Sequence, residues 1–509
     1  MNIYIRNIGL FLIASVVAKA AGALLSFLLA RYLQPAGLGI WVTMTLFVSY
    51  GGITTLGTLE ALLKLLPFHK GKGELSEARK IEEVAFSAIL IASAFVLMIG
   101  CAAPMLFTSV EMGLLSAEIK IMSIAAALGL ISQYFYFSFM AHQDFKIVAM
   151  LESGRSIACI MILGPFSYLW GLRGAALGFC ITELIILAIS AHISSRKNGS
   201  VHLSIDLRQL WVLISVGFPI TIFWWVFMIQ SSVDRLVSIS FLGKEATGFY
   251  ALGGSIVSVM SLLTASISKV LYPRISEKLG ESASEKELFG LVIVPSRLLG
   301  LILPLAIGPM VIALPLIYRI LPKYLPGLAS AQILVLLAFF HLGISNGVNF
   351  MIVTNRQILL CLYVLASLCV GVSAAYFAVI FGFGIEGIAL STGISGLCLA
   401  LLMWRAVFKG MGFTLYEQLA EVMKLYLPFI STLLILGLGG LVFPQLFTQS
   451  SILMTLVFGT AFILIFSFSL FVLPVTRKMM TEMLGIIRGS SERFAGAAPD
   501  IQRPEPFQA

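Results

Sequence analysis

Fourteen runs of roughly twenty apolar residues follow one another along this chain, separated by short polar breaks. A hydrocarbon layer about 30 Å thick is crossed by a helix of about that length, and inside it every backbone N–H and C=O must be paired within the segment. The runs fall at 8–30, 40–66, 84–107, 115–140, 147–169, 174–195, 210–233, 246–272, 289–315, 328–351, 358–381, 386–406, 423–443 and 451–474. The pattern predicts an all-α polytopic membrane protein of about 14 transmembrane helices. Only 11% of the 509 residues are charged, and the connections are short, which leaves no room for a soluble catalytic domain. The first run follows Arg6, as in a signal peptide. It is too long for one, contains Lys19 and leads straight into further spans, so it reads as an uncleaved helix.

The chain also repeats itself. Leu33-Gln34-Pro35-Ala36-Gly37-Leu38-Gly39-Ile40-Trp41 returns in outline as Leu242-Gly243-Lys244-Glu245-Ala246-Thr247-Gly248-Phe249-Tyr250, an offset of 209 residues. Gly171-Leu172-Arg173-Gly174 returns as Gly384-Ile385-Glu386-Gly387 at an offset of 213. Two echoes in one order at nearly one spacing predict a duplicated unit. The expected organisation is an N-terminal six-helix lobe at 1–200, a second six-helix lobe at 201–415, two extra helices at 416–484 and a disordered tail at 485–509. An even helix count per unit keeps both lobes in one orientation, related by a pseudo-two-fold along the membrane normal, the construction of many secondary transporters.

The formal charge of +9 is distributed by side. Alternate connections collect Lys70, Lys72, Arg79 and Lys80, then Arg196, Lys197 and Arg208, then Arg274, Lys278 and Lys286. The intervening ones hold little beyond Arg31, Arg173, Arg235, Lys244, Arg319 and Lys323. By the positive-inside bias both termini are expected in the cytoplasm, and the charge reports orientation rather than nucleic acid. Six scattered cysteines and five scattered histidines form no metal-ligand, nucleophile or phosphate-loop pattern, so no cofactor, metal or enzymatic site is expected.

The segment from Ala30 to Trp41 resembles a loop of bacterial polysaccharide transporters. So does Gln230-Ser231-Ser232-Val233-Asp234-Arg235-Leu236, with Phe241-Leu242-Gly243 and Gly248-Phe249-Tyr250 after it. These are the O-antigen and exopolysaccharide flippases of the multidrug/oligosaccharidyl-lipid/polysaccharide exporter superfamily. The resemblance implies a fourteen-helix, two-lobed carrier in the bacterial inner membrane. It would move undecaprenyl-diphosphate-linked oligosaccharide from the cytoplasmic to the periplasmic leaflet by alternating access. Its implied partners are that lipid-linked oligosaccharide, membrane lipids, a polysaccharide polymerase and a chain-length regulator. An ion-coupled multidrug antiporter of the same superfamily, or a membrane enzyme acting on lipid-linked sugars, are the alternative readings.

Charges inside the apolar runs are the candidate site, because a charge in the membrane normally faces the bundle interior. Lys19, Lys64, Lys269 and Arg297 are the cations expected to meet a diphosphate in a chamber between the lobes. Three of them have a plainer reading. Lys19 would partner an acid on another helix, Lys64 would pair with Glu60 four residues away, and Lys269 would snorkel to the interface. Glu152 and Arg155 share a helix face and read as a salt bridge. Glu183, mid-span without a cation nearby in sequence, is either a proton-coupling carboxyl or a neutral acid bonded to a neighbouring helix. Pro295, Pro304, Pro309 and Pro315 mark the ninth run as the expected most bent helix and rocking element, with Pro165 and Pro219 as weaker hinges.

Overall fold

The structure is a computed structural model and describes residues 2–106, 115–197, 199, 202–280, 288–448 and 451–472. All regular structure among them is helical. In chain order there are α1 (Asn2–Gly51), a 3-10 turn at Gly52–Thr55, α2 (Thr58–Gly71), α3 (Leu75–Leu106) and α4 (Ser116–Ala141). Then come α5 (Phe145–Ala158), a π turn at Cys159–Leu163, α6 (Gly164–Lys197), α7 (Leu207–Gln230), α8 (Val233–Val237) and a second π turn at Ser238–Leu242. The remainder are α9 (Gly243–Gly280), α10 (Phe289–Ile320), a 3-10 turn at Pro322–Gly327, α11 (Leu328–Gly343), α12 (Ser345–Val353), α13 (Gln357–Ile380), α14 (Gly384–Gly410), α15 (Leu415–Val442), a 3-10 turn at Pro444–Phe447 and α16 (Ile452–Val472). The tail expected at 485–509 lies outside the described residues.

Among the described residues, eleven helical stretches are long and apolar enough to cross a membrane. Two are of double length, Val17–Thr55 with 39 residues and Phe145–Lys197 with 53. At a rise of about 1.5 Å per residue, the longer would reach roughly 80 Å if straight, far beyond one hydrocarbon layer. Each therefore has room for two passes, and together with the 38 residues of α9 the set is consistent with fourteen.

Both sequence echoes turn out to be echoes of backbone. α1 breaks at Gln34 (φ 59, ψ 174), just before Pro35. Its repeat equivalent, Gly243, has nearly the same angles (φ 83, ψ −178). α6 breaks at Trp170 and Gly171, with φ 56 at Gly171, and the repeat equivalent Gly384 also has φ 56. Glycine adopts these conformations freely, whereas Gln34 sits in a region almost reserved for it. The proline-rich α10 keeps helical backbone angles through all four prolines. Pro165 lies two residues after the end of the first π turn, in the first turn of α6, where a missing N–H is tolerated.

Helices α1 to α6 pack on one another, chiefly α3 on α4, α4 on α6, and α1 on α5 and α6. Later in the chain α7 packs on α13, α13 on α14, α14 on α11, and α11 on α9 and α10, while α15 and α16 both lie against α10. The main seam between the two groups is α1 against α9, with α2 against α7 beside it. Along it the two backbones come into contact. A Cβ built at Gly39 would lie 1.8 Å from the Lys244 carbonyl oxygen, and one at Gly248 would lie 1.8 Å from that of Pro35. Positions 248 and 244 are the repeat equivalents of 39 and 35. Each half thus offers the same patch to the other, as the subunits of a two-fold dimer do. Gly217 makes a second close approach, where a Cβ would lie 1.8 Å from the Gly57 oxygen. Hydrogen bonds fasten the same seam, with Tyr324 Oη donating to Ala30 O at 2.9 Å and Lys323 Nζ to Gln34 Oε1 at 3.0 Å. The linker between the groups is pinned as well. Asp206 caps α7 through the Arg208 and Gln209 N–H groups and meets Lys80 Nζ at 2.6 Å.

Candidate functional site

A cavity of about 550 Å³ is walled by α1, α4, α5, α6 and α9. Each wall helix contributes a stripe at helical spacing: Lys19, Gly22, Ala23 and Ser26 from α1, Ser132, Gln133 and Tyr136 from α4, and Glu152, Arg155 and Ser156 from α5. Ile186 and Ser190 come from α6, and Ser258 from α9. Gly22 and Ala23 keep the α1 wall low and leave space in front of it. The cavity thus lies against the first six helices, and among the described residues the later part of the chain lines it only through Ser258.

Lys19 is exposed in this cavity. Its ammonium donates to Ser261 Oγ on α9 at 3.4 Å, and no carboxylate among the described residues lies within ion-pair distance. Arg155 is the second cation of the wall. Its guanidinium donates to Glu183, which is fully buried on α6, yet 38% of the arginine side chain stays exposed. That carboxylate packs against Gly129 on α4. The expected Glu152–Arg155 bridge is therefore replaced by an Arg155–Glu183 bridge between α5 and α6. The buried carboxylate of Glu183 needs a cation more than the cavity-side Glu152 does. Glu152 is left with its Oε2 buried and without a hydrogen-bond partner.

The other candidates lie elsewhere. Lys64 is exposed on α2, away from the cavity lining, and makes no ion pair with Glu60, whose Oε2 is buried without a partner. Lys269 lies on α9 with its side chain outside the described residues. Arg297 is buried between α10 and α15, where it donates to Glu421 Oε2 at 2.6 Å, and Lys424 donates to the other Glu421 oxygen at 2.5 Å. Next to it Gly300 lets α15 approach, since a Cβ there would lie 3.0 Å from the Leu425 oxygen. Arg297 thus ties the extra helices to α10 and does not line the cavity. Asp234 and Arg235 pair at 3.7 Å, as their adjacency suggested. Among the described residues no group of three or more His, Cys, Asp or Glu is placed to hold a metal ion.

Arg155, Gln133 and Tyr136 were not singled out from sequence as cavity residues. Their signal was present, because Ser132, Gln133 and Tyr136 form a polar stripe in an apolar run, and a mid-span Glu183 requires a cation on a neighbouring helix.

Residues 4–278, more than half of the chain, match the family model described as polysaccharide biosynthesis protein. The chain belongs to that family. Over 265 residues this polysaccharide biosynthesis protein is 23% identical to a putative O-antigen transporter of Shigella flexneri, a match covering 49% of this chain and 60% of that relative. It therefore spans less than two thirds of that relative's length. Among solved structures, lipid II flippase MurJ in an inward closed conformation superposes with a TM-score of 0.69 at 16% identity, covering 91% of this chain and 98% of that one. A MATE multidrug transporter of the MOP superfamily, inward-facing, gives 0.66 at 13% identity, with 78% and 94% covered. A MOP superfamily transporter from Pyrococcus furiosus, titled for the reverse polarity of its binding pocket, gives 0.57 at 13%, with 80% and 95% covered. At these identities the structural likeness establishes the fold, that of MOP superfamily transporters.

Proposed function

We propose that this polysaccharide biosynthesis protein is a flippase. It carries undecaprenyl-diphosphate-linked oligosaccharide from the cytoplasmic to the periplasmic leaflet of a bacterial inner membrane. The observation that carries the proposal is Lys19, an ammonium exposed in a cavity of about 550 Å³ and, among the described residues, bonded to a serine hydroxyl and to no carboxylate. A fixed charge inside a membrane protein is costly unless it meets water or a counter-ion, and a diphosphate supplies one. Arg155 offers a second set of donors at the same wall, held in place from behind by Glu183. Family membership and the O-antigen transporter relative support a saccharide as the rest of the cargo.

In this reading the halves at 1–200 and 201–415 rock about the α1–α9 seam, and the helices at 416–484 travel with the second half through Arg297 and Glu421. The distribution of Lys and Arg supports cytoplasmic termini. If ions drive transport, Glu183 acts through Arg155, since protonating the carboxyl would release the guanidinium. Glu152 is the one observation that favours a cation antiporter. With Lys19 and Arg155 beside it, however, the wall carries no net negative charge.

The test is depletion of the protein in its host followed by lipid analysis. Undecaprenyl-linked oligosaccharide should accumulate on the cytoplasmic leaflet, and a lipid profile unchanged by depletion would refute the flippase.

A further inference from the structure

Four serine hydroxyls of the cavity wall are turned back onto their own helices. Ser26 donates its hydrogen to Gly22 O at 2.9 Å, Ser132 to Leu128 O at 3.0 Å, Ser156 to Glu152 O at 3.0 Å and Ser258 to Ser255 O at 2.7 Å. A serine that spends its hydrogen on its own helix shows the cavity only lone pairs. These four offer acceptors, beside the cationic donors Lys19 and Arg155 and the neutral donors Gln133, Tyr136 and Ser190. The strongest acceptor is Glu152. Arg155, three residues away, has turned to Glu183, and Glu152 Oε2 is buried without a donor. A buried carboxylate oxygen left unmatched is expensive, and a ligand O–H or N–H would remove that cost.

Charge points the same way. Lys19 and Arg155 are formally balanced by Glu152 and Glu183, so the cavity is no general sink for anions. A bare diphosphate would meet repulsion from Glu152 as well as attraction from Lys19. A headgroup with hydroxyls beside its phosphates would satisfy both.

We propose that Glu152 is the specificity residue of the cavity, accepting hydrogen bonds from the sugar next to the diphosphate and thereby rejecting the bare carrier. The proposal rests on the flippase reading and adds to it a discrimination between loaded and unloaded lipid. Discrimination of this kind needs a repulsive element as well as an attractive one, and one carboxylate supplies both. A site built around a hydrogen bond to its ligand rejects the analogue that lacks the donor, because its own polar group is then left unpaired.

The test is equilibrium binding to the full-length protein in lipid nanodiscs, with undecaprenyl diphosphate and undecaprenyl-diphosphate-N-acetylglucosamine as probes. The native protein should prefer the sugar-bearing probe by roughly tenfold, the size of one charged hydrogen bond. In Glu152→Ala the ratio of the two affinities should fall to about one, and the near-isosteric Glu152→Gln, which keeps an acceptor oxygen, should retain part of it. Lys19→Ala should weaken both probes in proportion. Retention of the full preference by a folded Glu152→Ala would overturn the proposal. So would an absence of preference in the native protein while Lys19→Ala still weakens both probes, and either result leaves the flippase reading standing. Should Lys19→Ala weaken neither probe, the flippase reading itself falls and this proposal with it. Should Glu152→Gln keep the whole preference but abolish a pH dependence of binding, the group carries a proton instead and the proposal is overturned.

Discussion

A single methyl group at Gly39 should open the seam between the two halves. The added Cβ would stand 1.8 Å from the Lys244 oxygen, 2.8 Å from its carbonyl carbon and 3.0 Å from the Gly248 nitrogen, all of them backbone atoms. Comfortable contact between non-bonded heavy atoms begins near 3.5 Å, so α1 and α9 would have to separate by more than about 1 Å at this point. Overpacking of this kind costs about 1–3 kcal/mol, and only the conformation that brings Gly39 onto Lys244 bears it. A penalty of about 2 kcal/mol shifts the balance between sealed and parted conformations by roughly thirtyfold. Gly248→Ala is the symmetric twin, since its Cβ would meet the Pro35 oxygen at 1.8 Å, and it should act alike. The double substitution should give less than the sum, because both changes part the same seam. Gly254→Ala, on the same helix with nothing within 4 Å, is the control. The assay is the labelling rate of a cysteine at Ser232, which is 2% exposed and bonded across the seam to Tyr50 at 2.5 Å, with a membrane-impermeant maleimide. Labelling should quicken in Gly39→Ala and Gly248→Ala but not in Gly254→Ala. Folded glycine variants that label at the parental rate would refute the idea that these contacts hold the halves together.

Other outcomes follow from the same geometry. Gln34→Gly relieves a glycine-type backbone at the loss of one exposed hydrogen bond to Lys323, so the melting temperature should rise by the equivalent of about 1 kcal/mol; a fall would mean that Gln34 is unstrained. Arg155→Ala strands the buried Glu183 carboxylate and should destabilise by about 3 kcal/mol, while Arg155→Ala with Glu183→Gln should recover much of the loss. Equal melting of the single and double variants would argue against the pair. Arg297→Ala should lower stability by a similar amount and expose α15 to limited proteolysis, yet leave transport per folded molecule near the native level, because Arg297 lies outside the cavity. Transport lost in proportion to cavity variants would contradict that placement.

The sequence made the bundle legible because lipid allows so few structures. A run of twenty apolar residues has little choice but to be a helix, and even the double-length elements broke in the gaps between the expected runs, at Gln34 and at Trp170 and Gly171. The duplication was legible because the repeat equivalents Gln34 and Gly243, and Gly171 and Gly384, share positive φ angles that constrain the residues around them. Lys19 was legible as an unexplained charge at mid-span. The partners of Arg155 and Arg297 were not, since each lies on another helix, 28 and 124 residues away, where spacing along one helix carries no information. The four prolines of α10 leave its backbone angles helical. A proline frees a carbonyl, but whether the helix breaks there depends on what neighbouring helices offer it, and that is a tertiary fact.

Replacement of the chromosomal gene by Lys19→Ala and by Lys19→Arg, at matched protein level, tests the central claim most directly, with lipid-linked oligosaccharide on each leaflet as the readout. The account predicts that the alanine form exports at least about tenfold less, and traps its cargo on the cytoplasmic side, while the arginine form, which keeps the cation, exports substantially. Native export by the alanine form would contradict it.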